Sequence, residues 1–229
     1  MYNESHSPQN IASLQNIASL QPDTFDAVIV ASGDFPTHSI PLALISGARM
    51  LVACDSAGEQ LLQRGIVPTA IVGDCDSMSA AFRQKYKDII YKVDEQDYND
   101  LTKATRFCIA RGCHKIAYVG CTGKREDHTL GNIALLHFFR HELHVSPMMF
   151  TDYGTFIPAH GATTFGSFAR QQVSIFNLSC THLEGEGLRW QPYAFKQMWQ
   201  GTLNEATGDT ITLRGDADYL VFLTYERKD

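Results

Sequence analysis

Two patterns of apolar and polar positions divide the chain. From residue 25 onward, short apolar runs recur at "DAVIVAS" (26–32), "RMLVAC" (49–54), "AIVG" (70–73), "IIYKV" (89–93), "KIAYVG" (115–120) and "PMMF" (147–150). Stretches with helical spacing lie between them: "SIPLALISG", "SAGEQLLQRG", "SMSAAFRQKY", "DLTKATRFCIARG" and "DHTLGNIALLHFFRHEL". Nearly continuous apolar strands alternating with helices predict a Rossmann-like parallel sheet covered on both faces. After about residue 158 the period changes. "RQQVSIFNLS", "HLEGEGLRWQP", "DTITLRG" and "DYLVFLTYE" alternate apolar and polar positions between Gly, Asn and Asp turns, which predicts a small all-β sandwich or half-barrel. The expected organisation is therefore a tail over 1–24, an α/β domain over 25–158 and an all-β domain over 159–229. The tail carries an exact tandem duplication, "NIASLQNIASLQ" (10–21), whose six-residue period suits neither a helix nor a solenoid.

Composition changes this picture little but excludes some functions. Of 229 residues 44% are hydrophobic and 19% charged, which provides for a core and argues against wholesale disorder. A net charge of −6 with no basic run speaks against nucleic acid or an anionic membrane as the main partner. The six cysteines form no C-x-x-C pair and mostly sit in apolar runs, as reduced and buried thiols do. The first residues are polar and no apolar run approaches about 18 residues, so a soluble cytoplasmic protein is expected.

Candidate chemistry gathers where strands end. In "IVGDCDS" (71–77), Asp74 and Asp76 follow a strand and would share a side if the chain stayed extended; a solvated turn is the plainer alternative. "DEQDYNDLTKA" (94–104) adds Asp94, Glu95, Asp97 and Asp100, with Asp100 placed to cap a helix and Lys103 one turn along. Acidic clusters at consecutive strand ends suit a hard cation such as Mg²⁺, which shares oxygen ligands with phosphates. "GCTGKREDHTLGN" (120–132) offers glycines, Lys124, Arg125 and a helix start at Asp127-His128, but not the spacing of a P-loop. Asp55, after the strand "RMLVAC", is either a cap or one more carboxylate. His137, His141 and His144 share a helical spacing but lack the glutamate of H-E-x-x-H, and read as a polar or partly buried helix face.

In this order the segments resemble the thiamine pyrophosphokinase family, from about residue 26 to the C-terminus. "GIVPTAIVGDCDS" is similar to the family's G-I-x-P-D-x-I-x-G-D-x-D-S, "DEQDYNDLTKA" to D-Q-D-x-T-D-x-x-K-A, and "GCTGKREDHTLGN" to G-A-x-G-G-R-x-D-H-x-L-x-N. The resemblance implies Mg²⁺-dependent transfer of a pyrophosphoryl group from ATP to the hydroxyl of thiamine. It implies that Asp74, Asp76 and Asp100 hold Mg²⁺ and, with Lys103, form the catalytic group. Asp55, Arg125, Asp127 and His128 fall on the nucleotide side, and Gln96, Trp190 and Asn204 on the thiamine side. A homodimer with thiamine at the subunit interface is implied too. Four positions depart from the pattern: "CDSA" stands for A-D-G-G, Asn99 for threonine, Lys124 for glycine, and Leu203 for a serine whose hydroxyl Thr202 would replace. The competing readings are a metal-dependent nucleotide phosphohydrolase and a nucleotide- or thiamine-binding protein without turnover.

Overall fold

The computed structural model describes residues 22–76 and 78–227; the duplicated hexapeptide lies outside the described residues. The chain forms two compact units, residues 21–153 and 154–229.

The first unit is built on a six-stranded parallel sheet. Its strands are β1 (Ala27–Val30), β2 (Leu51–Cys54), β3 (Ala70–Gly73), β4 (Ile90–Lys92), β5 (Lys115–Val119) and β6 (Ser146–Phe150). Pairing gives the order β4-β3-β2-β1-β5-β6. Every residue of β1, β2 and β3 is buried, which is why these runs are apolar throughout rather than alternating, while β4 at the edge is not buried. The connecting helices are α1 (Ser39–Gly47), α2 (Ala57–Gln63), α3 (Ala80–Lys85), α4 (Asp100–Ile109) and α5 (Glu126–His141). From β1 the chain steps outward to β4, then α4 carries it back across the sheet to β5 on the other side of β1. Right-handed crossovers therefore put α1–α3 on one face and α4–α5 on the other. The reversal makes the β1/β5 boundary a topological switch point, with the crevice for ligands outside the carboxyl ends of those strands.

Local chemistry starts the helices. Ser79 accepts the Phe82 N–H at 3.1 Å ahead of α3. The cap of α4 is Asn99, not Asp100: its Oδ1 accepts the Thr102 N–H at 3.0 Å and the Thr102 hydroxyl at 2.9 Å. Asp100 is thereby the first helical residue. All six cysteines are buried and unpaired.

The second unit is antiparallel: β7 (Gly154–Gly166), β8 (Gln171–Asn177), β9 (Leu183–Glu186), β10 (Asn204–Glu205) and β11 (Thr210–Arg227). β7 begins at Gly154, ahead of the change of pattern near 158. "DTITLRG" and "DYLVFLTYE" are one strand, β11, with a register shift between Arg214 and Asp218. Along one edge β11 pairs with β7; along the other its first half pairs with β9 and its second half with β8. Inward positions such as Val173, Ile175, Ile211, Leu213 and Val221 are buried, giving the alternation of a sheet with one face covered. Among the described residues no helix is long and apolar enough to cross a membrane.

Candidate active site

The switch point is knit by backbone. Beyond the paired strands, Gly33 N–H donates to Gly120 O at 2.7 Å and Asp34 N–H to Thr122 O at 2.9 Å, so the loops after β1 and β5 run side by side. A Cβ on Gly33 would sit 2.3 Å from Thr122 O, and only glycine permits this approach. Their backbone amides satisfy one another here.

Beside this seam a cleft of 410 Å³ opens, lined by residues including Ser32, Asp74, Gln96, Asp97, Asp100, Lys103 and His128. Two carboxylates, Asp74 and Asp100, line it, and a third, Asp55, lies near Asp100 across Gly73. Asp55 follows β2 with φ +37° and a buried Oδ1. Asp74 follows β3, and Asp100 opens α4. Gly73 lies between two of them: a Cβ there would stand 3.0 Å from the Asp55 Cβ and 3.4 Å from Asp100 Oδ1. Burial raises the Asp100 carboxyl above the usual range; the hydrogen bond from Lys103 opposes this, and the charges of Asp55 and Asp74 reinforce it. Lys103, only 3% exposed, donates to Asp100 Oδ1 at 3.2 Å and is the buried positive charge of the group. Carboxylates that feel one another's charge across neighbouring loops offer the oxygen ligands that a hard divalent cation such as Mg²⁺ takes.

The extended geometry that would align Asp74 with Asp76 does not occur. Cys75 has φ +61°, so β3 ends in a turn in which Asp74 Oδ1 accepts the Asp76 N–H at 3.1 Å. Asp74 lines the cleft, while Asp76 is exposed. The second acidic cluster divides as well. Asp94 pairs with Lys92 at 2.8 Å, and Glu95 with Arg106, whose guanidinium also lies 3.9 Å over the Tyr98 ring. Gln96, Asp97 and Asp100 line the cleft.

After β5, α5 starts behind Arg125 with no side-chain cap, so Asp127 lies inside its first turn and does not cap it. Arg125 and Asp127 pair at 2.6 Å, both exposed, and this bond holds the Asp127 carboxyl below its ordinary value. His137 and His141 lie tilted against each other on α5 with ring centroids 4.5 Å apart, and His144 lies beyond its end.

Ser32 went unremarked in the sequence, yet it joins three loops. Its hydroxyl donates to Cys54 O at 3.1 Å, the Ser56 hydroxyl donates to it at 3.0 Å, and Lys124 Nζ donates to its carbonyl at 2.6 Å. Two of the four departures from the family pattern, Ser56 and Lys124, thus converge on one residue. The available signal was its position, directly after the first strand of an α/β pattern.

In the second unit a hollow of 170 Å³ is lined by residues including Trp190, Tyr193, Phe195, Thr202 and Asn204. Thr202 Oγ1 donates to Trp199 O at 2.7 Å, and Leu203 turns the chain with φ +64°. Of the thiamine-side candidates, Gln96 lies in the cleft of the first unit and Trp190, Thr202 and Asn204 in this hollow.

Comparison with known proteins assigns each unit. Residues 42–146 match the family description "Thiamin pyrophosphokinase, catalytic domain", and residues 154–222 match "Thiamin pyrophosphokinase, substrate-binding domain". The thiamine pyrophosphokinase of Bacillus subtilis (strain 168) is 33% identical over 116 residues, 48% of this chain; the match spans about half of that relative, 53%. The thiamin pyrophosphokinase structure from Candida albicans superimposes with a TM-score of 0.76 at 16% identity, over 96% of this chain and 95% of that one. A protein from Lactobacillus plantarum superimposes with a TM-score of 0.72 at 25% identity, over 89% of this chain and 99% of that one.

Proposed function

Since the chain belongs to the thiamin pyrophosphokinase family, we propose that it is a thiamine diphosphokinase, which transfers pyrophosphate from ATP to the thiamine hydroxyl and releases AMP. The observation that carries this reading is the cleft lined by Asp74 and Asp100, with Asp55 beside Gly73 and the buried ammonium of Lys103 bonded to Asp100. A bare set of carboxylates would repel a triphosphate. The same set would hold Mg²⁺, and the cation would supply the charge neutralisation that phosphoryl transfer needs.

In this reading Asp74 and Asp100 hold the cation from the cleft and Asp55 completes the acidic set, while Asp76, exposed in the turn after β3, would have to swing inward to join them. Lys103 orients Asp100 and favours its ionised form against burial through its 3.2 Å hydrogen bond. Arg125 exchanges its exposed partner Asp127 for phosphate, a stronger planar match for a guanidinium. His128, on the cleft wall, contacts the nucleotide. Gln96 is the thiamine-side residue of the first unit, and Trp190, Thr202 and Asn204 are those of the second. One of the cleft carboxylates, with Asp100 the first candidate, takes the hydroxyl proton as the oxygen attacks the β-phosphorus.

We further read the enzyme as a cytoplasmic homodimer. Six buried unpaired cysteines suit a reducing compartment. The exposed Trp190, Tyr193, Met198, Trp199 and Leu203 of the second unit supply the apolar surface that a second copy would cover.

The test is incubation with ATP, Mg²⁺ and thiamine. Release of AMP that depends on thiamine is expected. Phosphate release indifferent to thiamine would identify a phosphohydrolase, and nucleotide binding without turnover a sensor; either overturns the reading.

A further inference from the structure

Trp190 lies outside any strand, so no sheet ladder holds its backbone. Both of its main-chain polar groups nevertheless end on one side chain. Asn204 Oδ1 accepts the Trp190 N–H at 3.2 Å, and Asn204 Nδ2 donates to the Trp190 carbonyl at 2.7 Å. This imitates the exchange between two paired strand residues, with an amide side chain as the second strand. The same Oδ1 also accepts the Glu205 N–H at 2.8 Å. Three of the four hydrogen bonds open to the amide are thus made within the protein, and the residue is only 7% exposed.

Asn204 is itself anchored. It sits in β10, in register with Val173 of β8, whose side chain is fully buried. The tie therefore runs from the core of the second unit to a tryptophan that is 52% exposed. One face of that indole carries the Arg189 guanidinium, 4.9 Å from the ring centroid, and Arg189 pairs with Glu205 at 3.5 Å. Backbone and ring of Trp190 are thus both referred to the two residues of β10.

We propose that Asn204 is a positioning residue for thiamine. It fixes the Trp190 indole through the backbone and acts on the substrate only through that ring. The inference rests on the reading of this hollow as the thiamine subsite and deepens it. An aromatic face binds best when its place is set in advance, because ordering a loop on binding subtracts from affinity.

The experiment is a double-substitution cycle on the full chain, reading kcat and the KM of thiamine and of ATP for Trp190→Ala, Asn204→Ala and both together. Each single change is expected to raise the KM of thiamine about tenfold while leaving the KM of ATP within about twofold. The double variant is expected to match Trp190→Ala, because without the ring Asn204 has nothing to position. Asn204→Asp retains the size and both acceptor contacts but sets an oxygen against the Trp190 carbonyl in place of the donor, and is expected to raise the KM of thiamine at least as far as Asn204→Ala. It replaces Asn204→Ala in the cycle if thermal melting shows that variant unfolded. Multiplying effects in the double variant would overturn the proposal, since Asn204 would then contact substrate independently. So would an unchanged KM of thiamine in folded Asn204→Ala when Trp190→Ala raises it. If Trp190→Ala itself leaves that KM unchanged, the thiamine reading of the hollow fails, a result distinct from failure of the clamp.

Discussion

Gly73 decides whether three carboxylates can gather. Its missing side chain leaves the space in which Asp55 and Asp100 approach, and the contacts a Cβ would make there are tighter than packing normally accepts. Gly73→Ala is therefore expected to lower kcat about tenfold or more by displacing Asp55 or Asp100, while the melting temperature changes little. Asp74→Asn removes charge without volume, and a loss of about a hundredfold or more in rate with unchanged melting is the expected result. A variant with normal rate would remove Asp74 from the machinery. This scale is where the sequence speaks least. The strand-end aspartates were visible as a class, but nothing local distinguishes Asp97 and Asp100 from Asp94 and Glu95. The sorting is done by Lys92 and by Arg106, the second of which lies 11 positions from its partner. Ser32 was invisible for the same reason, its partners lying 22, 24 and 92 positions away.

At the scale of elements, periodicity located the six parallel strands and five α-helices found among the described residues, because burial on one face or on both leaves a direct mark on residue order. What it misjudged were junctions. Asn99 rather than Asp100 caps α4, which frees the aspartate for the cleft. After Gly73, where the sequence left an extended chain and a turn both open, a positive φ at Cys75 selects the turn. In the second unit, Gly215 and Asp216 read as a turn between two strands, but a bulge absorbs them within β11. One junction carries a pH prediction. The loop before α1 is tied to the end of β6 by Asp152, which accepts the Thr37 N–H at 2.8 Å, the Thr37 hydroxyl at 2.7 Å and the His38 N–H at 3.0 Å. Burial alone would raise this carboxyl, yet the three donors hold it below its ordinary value. A lowered folded-state value means the contribution is complete above the unfolded value of about 3.9 and is lost as pH falls through the folded one. Asp152→Ala is thus expected to melt below wild type at pH 7, by an amount on the order of 1 kcal/mol. The gap should close at acidic pH, and a gap that stays constant from pH 7 to strongly acidic conditions would contradict this account.

At the scale of the molecule, the decisive fact is the strand order β4-β3-β2-β1-β5-β6. The sequence specifies parallel strands but not their neighbours, since order depends on which way each crossover turns. Only with the order known does the β1/β5 seam become the place for a ligand. The two units also differ in what they contain. Every helix among the described residues belongs to residues 21–153, and both of the chain's tryptophans, Trp190 and Trp199, belong to 154–229. Nature has in effect labelled the halves with separate optical reporters. Helical circular dichroism near 222 nm follows the first, and indole fluorescence follows the second. Saturating ATP with Mg²⁺, at about a hundred times its dissociation constant, should stabilise what it binds by about 2.7 kcal/mol. In urea titrations the dichroism midpoint is expected to move further than the fluorescence midpoint on adding nucleotide, and thiamine alone is expected to perturb only the emission. If nucleotide moved the emission and left the dichroism unchanged, ATP would have to be reassigned to the other half of the chain.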